Sequence, residues 1–366
     1  MSQSISIEEV QKQLQSSPSP HIRRKRRSRD IMTDVMIALV PPIIAAAYFF
    51  GWWVFVQIAV GVGVSALAEY GYQKLSDKKI TLYDRSVFVT GLLVGLSFPV
   101  SSPLWVVAAA ALIAVLIVKH WNFGFGPGGL GRNYLNPALT ARVVAKILFQ
   151  PAFANWILPN GFFSGPYGGF GVDAVATATP LEYLNRGATE ISSQIPDLWD
   201  LFLGVDVGGN IGETSKLAIL IGMIYLIVRR VINPKVPLLF ILGGFLVATF
   251  WGNFDPFFSL THVLSGTFLF VATYMVTDYS SGCLTPEGKS VFAFCAGALT
   301  VILRIAIGFP GAVGISVIIM NICAPFIDRA FMPKIYGHNQ RPNVVFDRQK
   351  AVSYTHLRAH ETRHDL

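Results

Sequence analysis

Ten apolar stretches, each long enough to cross or half-cross a bilayer, run along this 366-residue chain. A transmembrane helix needs about 17–25 predominantly apolar residues. The stretches cover approximately residues 31–50, 52–68, 86–100, 103–118, 135–150, 216–232, 236–252, 260–277, 290–308 and 311–327. Only 14% of the residues are charged, whereas a soluble domain carries about 25%. The sequence therefore predicts an all-α polytopic membrane protein with about ten transmembrane helices.

The positions of lysine and arginine predict how these helices are oriented. A basic arm at 23–29 precedes the first stretch, and cations then recur in every second connection. These cations are Lys74, Lys78, Lys79, Arg85, Lys119, Arg132, Arg229, Arg230, Lys235, Arg329 and Lys334. Because cytoplasmic loops are enriched in Lys and Arg, we expect a bacterial inner-membrane protein with both termini cytoplasmic. The net charge of +8 then reflects membrane orientation and does not indicate binding to nucleic acid.

The same reasoning divides the chain into six parts. They are a cytoplasmic basic arm (1–30), a first five-helix membrane half (31–150), an extracytoplasmic loop (151–215), a second five-helix half (216–330), a cytoplasmic tail (331–352) and a final segment (353–366). The final segment is rich in His and Arg, and it resembles the translated read-through of a sequencing adapter. A solvated native tail is the alternative, and we exclude the segment from fold reasoning in either case.

The two membrane halves share a pattern. In each half, a Gly- and Pro-rich break (124–129 and 308–311) precedes a helix that contains an asparagine and a proline. Because each half has an odd number of segments, the two copies must have opposite topology in the membrane. The sequence thus predicts two inverted five-helix repeats with broken helices, an arrangement that places binding sites near the midplane between the halves.

The loop at 151–215 is the long polar connection between the halves. Its acidic residues are Asp173, Glu182, Glu190, Asp197, Asp200, Asp206 and Glu213, against a single Arg186. Within it, the hydroxyl of Thr179 has small neighbours on its amino-terminal side, and Pro180 favours an extended backbone at Thr179. A loop of this length usually has a function of its own. We expect Thr179 to be presented to a modifying enzyme, and a plain extracytoplasmic tether is the alternative.

Several longer motifs carry a resemblance to a known family over roughly residues 20–340. They are Ser19-Pro20-His21 with Met32 to Pro41, Gly128 to Ala138, the segment around Thr179, Thr277-Asp278-Tyr279, and Thr285 to Lys289. Together and in this order they resemble the RnfD subunits of Rnf electron-transport complexes. These subunits are related to the B subunit of sodium-pumping NADH:quinone oxidoreductases, and together they form the NqrB/RnfD family.

The resemblance implies a covalent flavin on the loop. In the family, the threonine that matches Thr179 carries FMN through a phosphoester, and a flavin transferase attaches it. Asp173 matches the acidic residue of the attachment motif, and Ala178 and Leu181 flank the acceptor within it. The chain departs from the family pattern at Ala176-Thr177, which leaves Thr177 as a rival acceptor. A second flavin, riboflavin, between the halves is a further implication of the resemblance that the residues themselves do not show.

The implied function is that of a membrane subunit that is not catalytic alone. Electrons would pass between ferredoxin and NAD through partner subunits of the complex, coupled to export of Na⁺ or H⁺. Two alternatives belong to other classes: a flavin-free inverted-repeat transporter or channel, and a scaffold that only docks redox partners. The B subunit of a quinone-reducing relative is a third, although such subunits usually have a longer amino-terminal extension than this chain.

The remaining motifs favour structural roles. The glycine-rich stretch 124–131 lacks the Gly-Lys-Ser/Thr of a phosphate-binding loop, so we expect a turn packed against a neighbouring helix. Arg132, Asn133 and Asn136 could hydrogen-bond a flavin or the backbone of a broken helix. We expect Asp278 to cap or solvate a helix end. The spacing of the three cysteines fits no metal site, so we expect no bound metal.

Overall fold

The computed structural model describes residues 27–124, 128–129, 133–150, 196–205, 207–308 and 311–332, and the backbone alone of 156–157 and 176–177. The helices of the first half are α1 (Ser28–Ala38), α2 (Val40–Phe50), α3 (Trp53–Leu75), α4 (Ser86–Leu96), α5 (Leu104–Leu112), a π-helix (Ile113–Trp121) and α6 (Pro137–Leu148). Those that follow are α7 (Leu198–Leu203), α8 (Lys216–Val228), α9 (Lys235–Trp251), α10 (Pro256–Leu264), α11 (Phe268–Tyr274), α12 (Pro286–Ile307) and α13 (Ala312–Ala330). Short 3₁₀ turns lie at Leu82–Asp84, Asn122–Gly124 and Ile211–Glu213.

Helix starts follow the sequence closely. Asn136 caps α6 by accepting a hydrogen bond from the backbone N–H of Leu139, and Thr285 caps α12 in the same way. In both helices proline occupies the first helical position. There its missing N–H costs nothing, and its fixed φ suits the helix. The pairs Asn-Pro and Thr-Pro therefore mark two element boundaries directly.

Each of the ten apolar stretches contains at least one helix. Five continuous spans are long and apolar enough to cross a membrane: Ser28–Phe50, Trp53–Leu75, Leu104–Gly124, Pro286–Ile307 and Ala312–Ala330. Helices α10 and α11 are bent by 57° at a short break, and this pair is either a broken span, which would be a sixth, or a re-entrant loop. The other four stretches hold the shorter helices α4, α6, α8 and α9. The described residues thus form a helical multi-pass membrane protein, and ten full crossings remain a prediction.

Small residues let some helices approach backbone to backbone. A Cβ added at Gly61 of α3 would lie 2.7 Å from the carbonyl oxygen of Gly91 in α4. A Cβ at Gly297 of α12 would likewise collide with the backbone of Phe240 in α9. Close approach at small residues is how helices associate where no hydrophobic effect drives them together. In the first half this contact holds α3 against α4, and in the second half it holds α9 against α12.

The two halves meet through corresponding segments. Helices α1 and α2, the first span, pack on α8, which opens the second half. Helix α6, which ends the first half, packs on α13, which ends the second. Such pairing of first with first and last with last is compatible with a pseudo-two-fold relation, and the inverted repeat itself remains a prediction.

Two strands of two residues each supplement the predicted all-helical fold. Trp156–Ile157 (β1) pairs antiparallel with Ala176–Thr177 (β2), with Trp156 opposite Thr177. Both lie in the 151–215 connection, where the sequence analysis predicted no strand. The backbone of Thr177 is therefore held two residues before Thr179.

Candidate functional site

The predicted flavin-attachment residues lie outside the described part of the chain. This holds for Thr179, Asp173, Ala178 and Leu181. The attachment site therefore stays a prediction, and the described residues offer a different candidate site within the helical bundle.

That site is a cavity between the halves. It has about 740 Å³ of empty space, including its open mouth. Its wall contains residues from α1, α4, the π-helix, α6, α8 and α11, together with the segment before α6 and the segments after α8 and α11. The lining residues are Ile31, Met32, Val35, Ser86, Val89, Thr90, Leu93, Lys119, Asn133, Asn136, Pro137, Ala138, Leu226, Val231, Ile232, Thr273, Tyr274, Thr277, Asp278, Tyr279 and Ser280. Apolar walls with a few convergent polar groups are typical of small-molecule sites.

Asn136 and Asp278 join the halves at this cavity. The Asn136 amide donates to the carbonyl oxygen of Met275 at 3.2 Å and to Asp278 Oδ2 at 3.4 Å. The same Asp278 carboxylate accepts hydrogen bonds from Ser280 and Ser281, each at 2.9 Å from its Oδ2. The Asp278 carboxylate therefore organises the turn that follows α11, its predicted role as a helix cap stays a prediction, and the side chains of Asn136 and Asp278 also line the cavity.

Within the glycine-rich stretch, Gly128 packs close to the backbone of the π-helix end. Its N–H donates to the carbonyl oxygen of His120 at 3.3 Å, and a Cβ at Gly128 would collide with the carbonyl oxygen of Lys119. Only glycine fits so close to another backbone. The predicted packing is thus observed at Gly128, which lies against the end of the π-helix. Arg132 lies outside the described residues.

A buried ion pair lies behind the cavity wall. Lys119 Nζ is 2.6 Å from Glu69 Oε2 and 2.8 Å from Ser86 Oγ. His120 Nε2 lies 3.9 Å from the same Glu69 oxygen. Glu69 is 1% exposed, Lys119 2% and His120 8%. We call Glu69, Lys119 and His120 the cavity-side group.

A second buried set of charges lies farther from the cavity. Lys216 begins α8, whereas Leu226 of the same helix lines the cavity, and the ten-residue separation spans about 15 Å at the α-helical rise. Arg142 Nη2 lies 3.9 Å from Glu213 Oε2, and Arg304 lies within electrostatic reach of both. All four side chains are at least nine-tenths buried. We call Arg142, Glu213, Lys216 and Arg304 the distal group.

Hydrogen bonds in the distal group go mainly to backbone. Arg304 donates to the carbonyl oxygens of His262 at 2.5 Å and Ser265 at 3.1 Å, at the end of α10 where the helix breaks. Lys216 donates to the carbonyl oxygen of Glu213. The Glu213 carboxylate accepts from the backbone N–H and the side chain of Asn210, at 3.0 and 2.8 Å.

Residues 15–337 match the sequence pattern of the NQR2, RnfD, RnfE family. The chain belongs to this family. It is 38% identical over 322 residues to the D subunit of the Na(+)-translocating ferredoxin:NAD(+) oxidoreductase complex of Acetobacterium woodii, covering 88% of this chain and 94% of that protein.

Two further relatives of the family share similar coverage. The D subunit of the proton-translocating ferredoxin:NAD(+) oxidoreductase complex of Clostridium ljungdahlii is 33% identical over 331 residues, 88% of this chain and 95% of the relative. The D subunit of the ion-translocating oxidoreductase complex of Vibrio cholerae is 30% identical over 351 residues, 87% of this chain and 98% of the relative. All three relatives are subunits of membrane ion-translocating oxidoreductase complexes, so the predicted resemblance is confirmed.

The cavity combines apolar walls with a few convergent polar groups, as small-molecule sites do. Val89, Leu93 and Leu226 supply apolar walls. Asn136 and Asp278 supply amide and carboxylate groups that can exchange their present partners for ligand hydroxyls. Among the described residues, no set of three or more His, Cys, Asp or Glu is placed to hold a metal ion.

Sequence reasoning missed both buried charge groups. By sequence, Lys119 is only an orientation signal, and Glu69 is only an acid near a span end. Glu213 belongs by sequence to an acidic loop, although it is 4% exposed. One signal was available: Arg142 and Arg304 lie within apolar stretches, and ionisable residues at such positions usually have a specific role.

Proposed function

We propose that this chain is the membrane electron-transfer subunit, the D component, of an ion-translocating ferredoxin:NAD(+) oxidoreductase complex. The observation that carries the proposal is the 38% identity to a protein of that name over 94% of its length. Because a close match spans nearly the whole of both chains, the similarity reflects the entire protein and not one shared segment. The coupling ion is Na⁺ or H⁺, and the named relatives include one of each kind.

The proposed topology places the cavity mouth on the cytoplasmic side of a bacterial inner membrane, with both termini cytoplasmic. Lys119 and the segment that carries Asp278 lie at the cavity, and both belong to connections that the cation pattern predicts to be cytoplasmic. The 151–215 connection then lies outside. Electrons therefore need carriers at both faces of the membrane.

The outer carrier is FMN, attached by a phosphoester to Thr179 through a flavin transferase. Thr179 is the acceptor that best fits the family pattern, since Pro180 and Leu181 follow it directly. Thr177 is the rival, and its backbone lies in the β1–β2 pair. Asp173 and Ala178 complete the attachment motif. Bound FMN supplies the redox chemistry, and the protein supplies its position and surroundings.

The inner carrier is a second, non-covalent flavin, riboflavin, in the cavity between the halves. The apolar walls of the cavity fit an isoalloxazine ring, and its polar groups fit a ribityl chain. Ferredoxin and NAD react through partner subunits, and this chain alone does not complete the reaction.

Co-expression with a flavin transferase tests the outer carrier. We expect the denatured protein to remain fluorescent and to gain the mass of FMN minus water. Thr179→Ala removes the label, and the matched control Thr177→Ala retains it, because only the hydroxyl before Pro180 accepts the phosphoester. Loss of label in the Thr177 variant alone would move the acceptor to Thr177.

Acid extraction of the same samples tests the inner carrier. Riboflavin should be released from both threonine variants in equal amounts, since a non-covalent flavin does not depend on the phosphoester. A chain that carries no flavin of either kind but still supports ion flux would favour a plain transporter. A flavin-free chain in an active, assembled complex would favour a scaffold.

A further inference from the structure

Glu69 Oε2 lies between two proton-carrying groups of the cavity-side group. Lys119 Nζ is 2.6 Å from it on one side, and His120 Nε2 is 3.9 Å from it on the other. Lys119 also lines the cavity. One carboxylate oxygen therefore lies next to both Lys119, at the cavity wall, and the adjacent His120 in the last turn of the π-helix.

The other Glu69 oxygen is held in place. Gln73 Nε2 donates to Glu69 Oε1 at 3.2 Å and to Thr81 Oγ1 at 2.8 Å. The Gln73 carbonyl accepts the backbone N–H of Thr81 at 2.9 Å. This arrangement fixes the carboxylate so that Oε2 faces Lys119 and His120. A geometry defined this closely by residues of three segments is more than a chance contact of two charges.

His120 is the group of this set that is closest to solvent. Its ring stacks on Tyr72, with 4.3 Å between ring centroids, and Tyr72 accepts a hydrogen bond from the exposed Lys78 at 3.0 Å. His120 Nε2 is buried and has no hydrogen-bond partner among the described residues. A buried nitrogen without a partner is costly, which argues that this position is retained for a proton or a water molecule.

We propose that His120, Glu69 and Lys119 form a proton relay that delivers protons to the ligand reduced in the cavity. The proposal rests on the proposed binding of a non-covalent flavin there. The electrons come from reduced ferredoxin through the partner subunits. The relay supplies one proton for each electron whose negative charge on the ligand has to be neutralised. The net charge of the cavity is then unchanged by reduction.

The proton moves in three steps. An N–H bond of the Lys119 ammonium breaks and its proton goes to the reduced ligand, which leaves Lys119 as a neutral amine. Neutral His120 then takes a proton from solvent. As their 3.9 Å separation closes to hydrogen-bonding distance, His120 passes this proton to Glu69 Oε2, and Glu69 passes it on to Lys119. One proton thus crosses from solvent to the cavity, and His120, Glu69 and Lys119 return to their starting states.

Electrostatic coupling gives the relay its direction. Among the described residues, Lys119, Glu69 and Lys78 are charged groups near His120, and Asp278 also lines the cavity. While Lys119 is charged, it repels a second proton on the neighbouring histidine. Once Lys119 has given its proton away, that repulsion disappears and His120 can be loaded.

The test uses the full chain purified without flavin transferase, so that any flavin present is non-covalent. Its reduction by dithionite is followed by absorbance in H₂O and D₂O. We expect a solvent isotope effect in the wild type, since proton delivery limits the rate. Glu69→Gln and Lys119→Met should slow reduction by about 100-fold and alter its pH profile, within the range of about 10²–10⁴ for general acid catalysis.

Two further variants separate a relay from a structural role. His120→Ala leaves a space of imidazole size, and added imidazole should restore the rate, whereas His120→Gln should be slow and not rescued. Asp34→Asn is the matched control, because Asp34 is a buried carboxylate paired with Arg229 that does not line the cavity. It should be reduced at the wild-type rate.

The possible failures are distinguishable. Wild-type chain without extractable flavin would overturn the proposed cavity ligand. Variants that retain flavin and are reduced at the wild-type rate, with the same isotope effect, would overturn the relay alone. If Glu69→Gln loses its flavin, the relay is tested instead with Glu69→Asp and with the imidazole rescue of His120→Ala, since both variants keep Lys119. An absence of rescue would also overturn the relay.

Discussion

The cavity-side group and the distal group are buried to the same degree, yet their charged atoms make different contacts. In the first, ammonium, carboxylate and imidazole face one another, with Glu69 Oε2 common to both pairs. In the second, Arg304 and Lys216 donate to backbone carbonyls at the ends of helical segments. Side chains that face each other can exchange protons. Side chains that bond to carbonyls replace the hydrogen bonds that a broken helix has lost.

This difference shows that burial of charge does not by itself indicate a functional site. The distal group has three cations and one carboxylate among the described residues, and by charge alone it resembles an anion site. Its hydrogen bonds give a structural explanation, because Arg304 supplies donors where α10 ends and Ser265 begins the bend. The cavity-side group has no such backbone role, which leaves its chemistry to be explained.

The strongest test of the comparison is Arg304→Met. If the distal group is structural, the carbonyls of His262 and Ser265 lose their donors, and the free energy of unfolding should fall by about 2–6 kcal/mol at ~1–3 per orphaned group. If its excess positive charge is the dominant effect, removing one cation should instead leave stability unchanged or increase it. Thermal unfolding in nanodiscs measures the difference, with Arg304→Lys as the variant that keeps a cation and one donor.

The second test concerns Glu69 and Lys119. Removing either partner alone leaves the other charge buried, so Glu69→Gln and Lys119→Met should each cost about 3 kcal/mol. The double variant should cost far less than the sum, because a buried pair replaced as a whole is often nearly neutral. Unfolding of the two single variants and the double variant gives the coupling energy. Additive losses would show that the two side chains are held independently and do not act as a pair.

The smallest effect is expected at Arg229→Gln. This arginine lies 3.1 Å from Asp34, but its side chain is 51% exposed. An ion pair in contact with solvent contributes about 0–1 kcal/mol, so the variant should unfold close to the wild type. Addition of salt should reduce even this difference. If Arg229→Gln lowered the free energy of unfolding as much as Glu69→Gln, solvent exposure would not explain the difference between the Asp34–Arg229 pair and the Glu69–Lys119 pair.

Local chemistry made much of the fold predictable. The pairs Asn136-Pro137 and Thr285-Pro286 predict helix starts, because the capping hydrogen bond and the fixed proline backbone involve only residues within the first helical turn. The apolar stretches predict the helices, because a helix that crosses the bilayer needs apolar side chains along the thickness of the hydrocarbon core. The break after α10 was harder, since Ser265 and Gly266 lie inside a stretch that reads as a single helix.

The candidate site was less predictable because its contacts join distant segments. Glu69 and Lys119 are 50 positions apart, and nothing near either residue indicates the other. Asn136 and Asp278 are 142 positions apart, although each is a candidate on local grounds of its own. Sequence patterns report local preference and burial, whereas pairs of this kind depend on how the helices pack.

The π-helix Ile113–Trp121 places Lys119 and His120 at Glu69, and its geometry bears on how the site arose. Each π turn bonds residue i to i+5 and so takes up one residue more than an α turn. A single-codon insertion in an ordinary membrane helix is enough to create such a turn and to rotate everything beyond it. A form of this chain that lacked one residue of the π-helix would carry Lys119 and His120 on another face of the helix, away from Glu69.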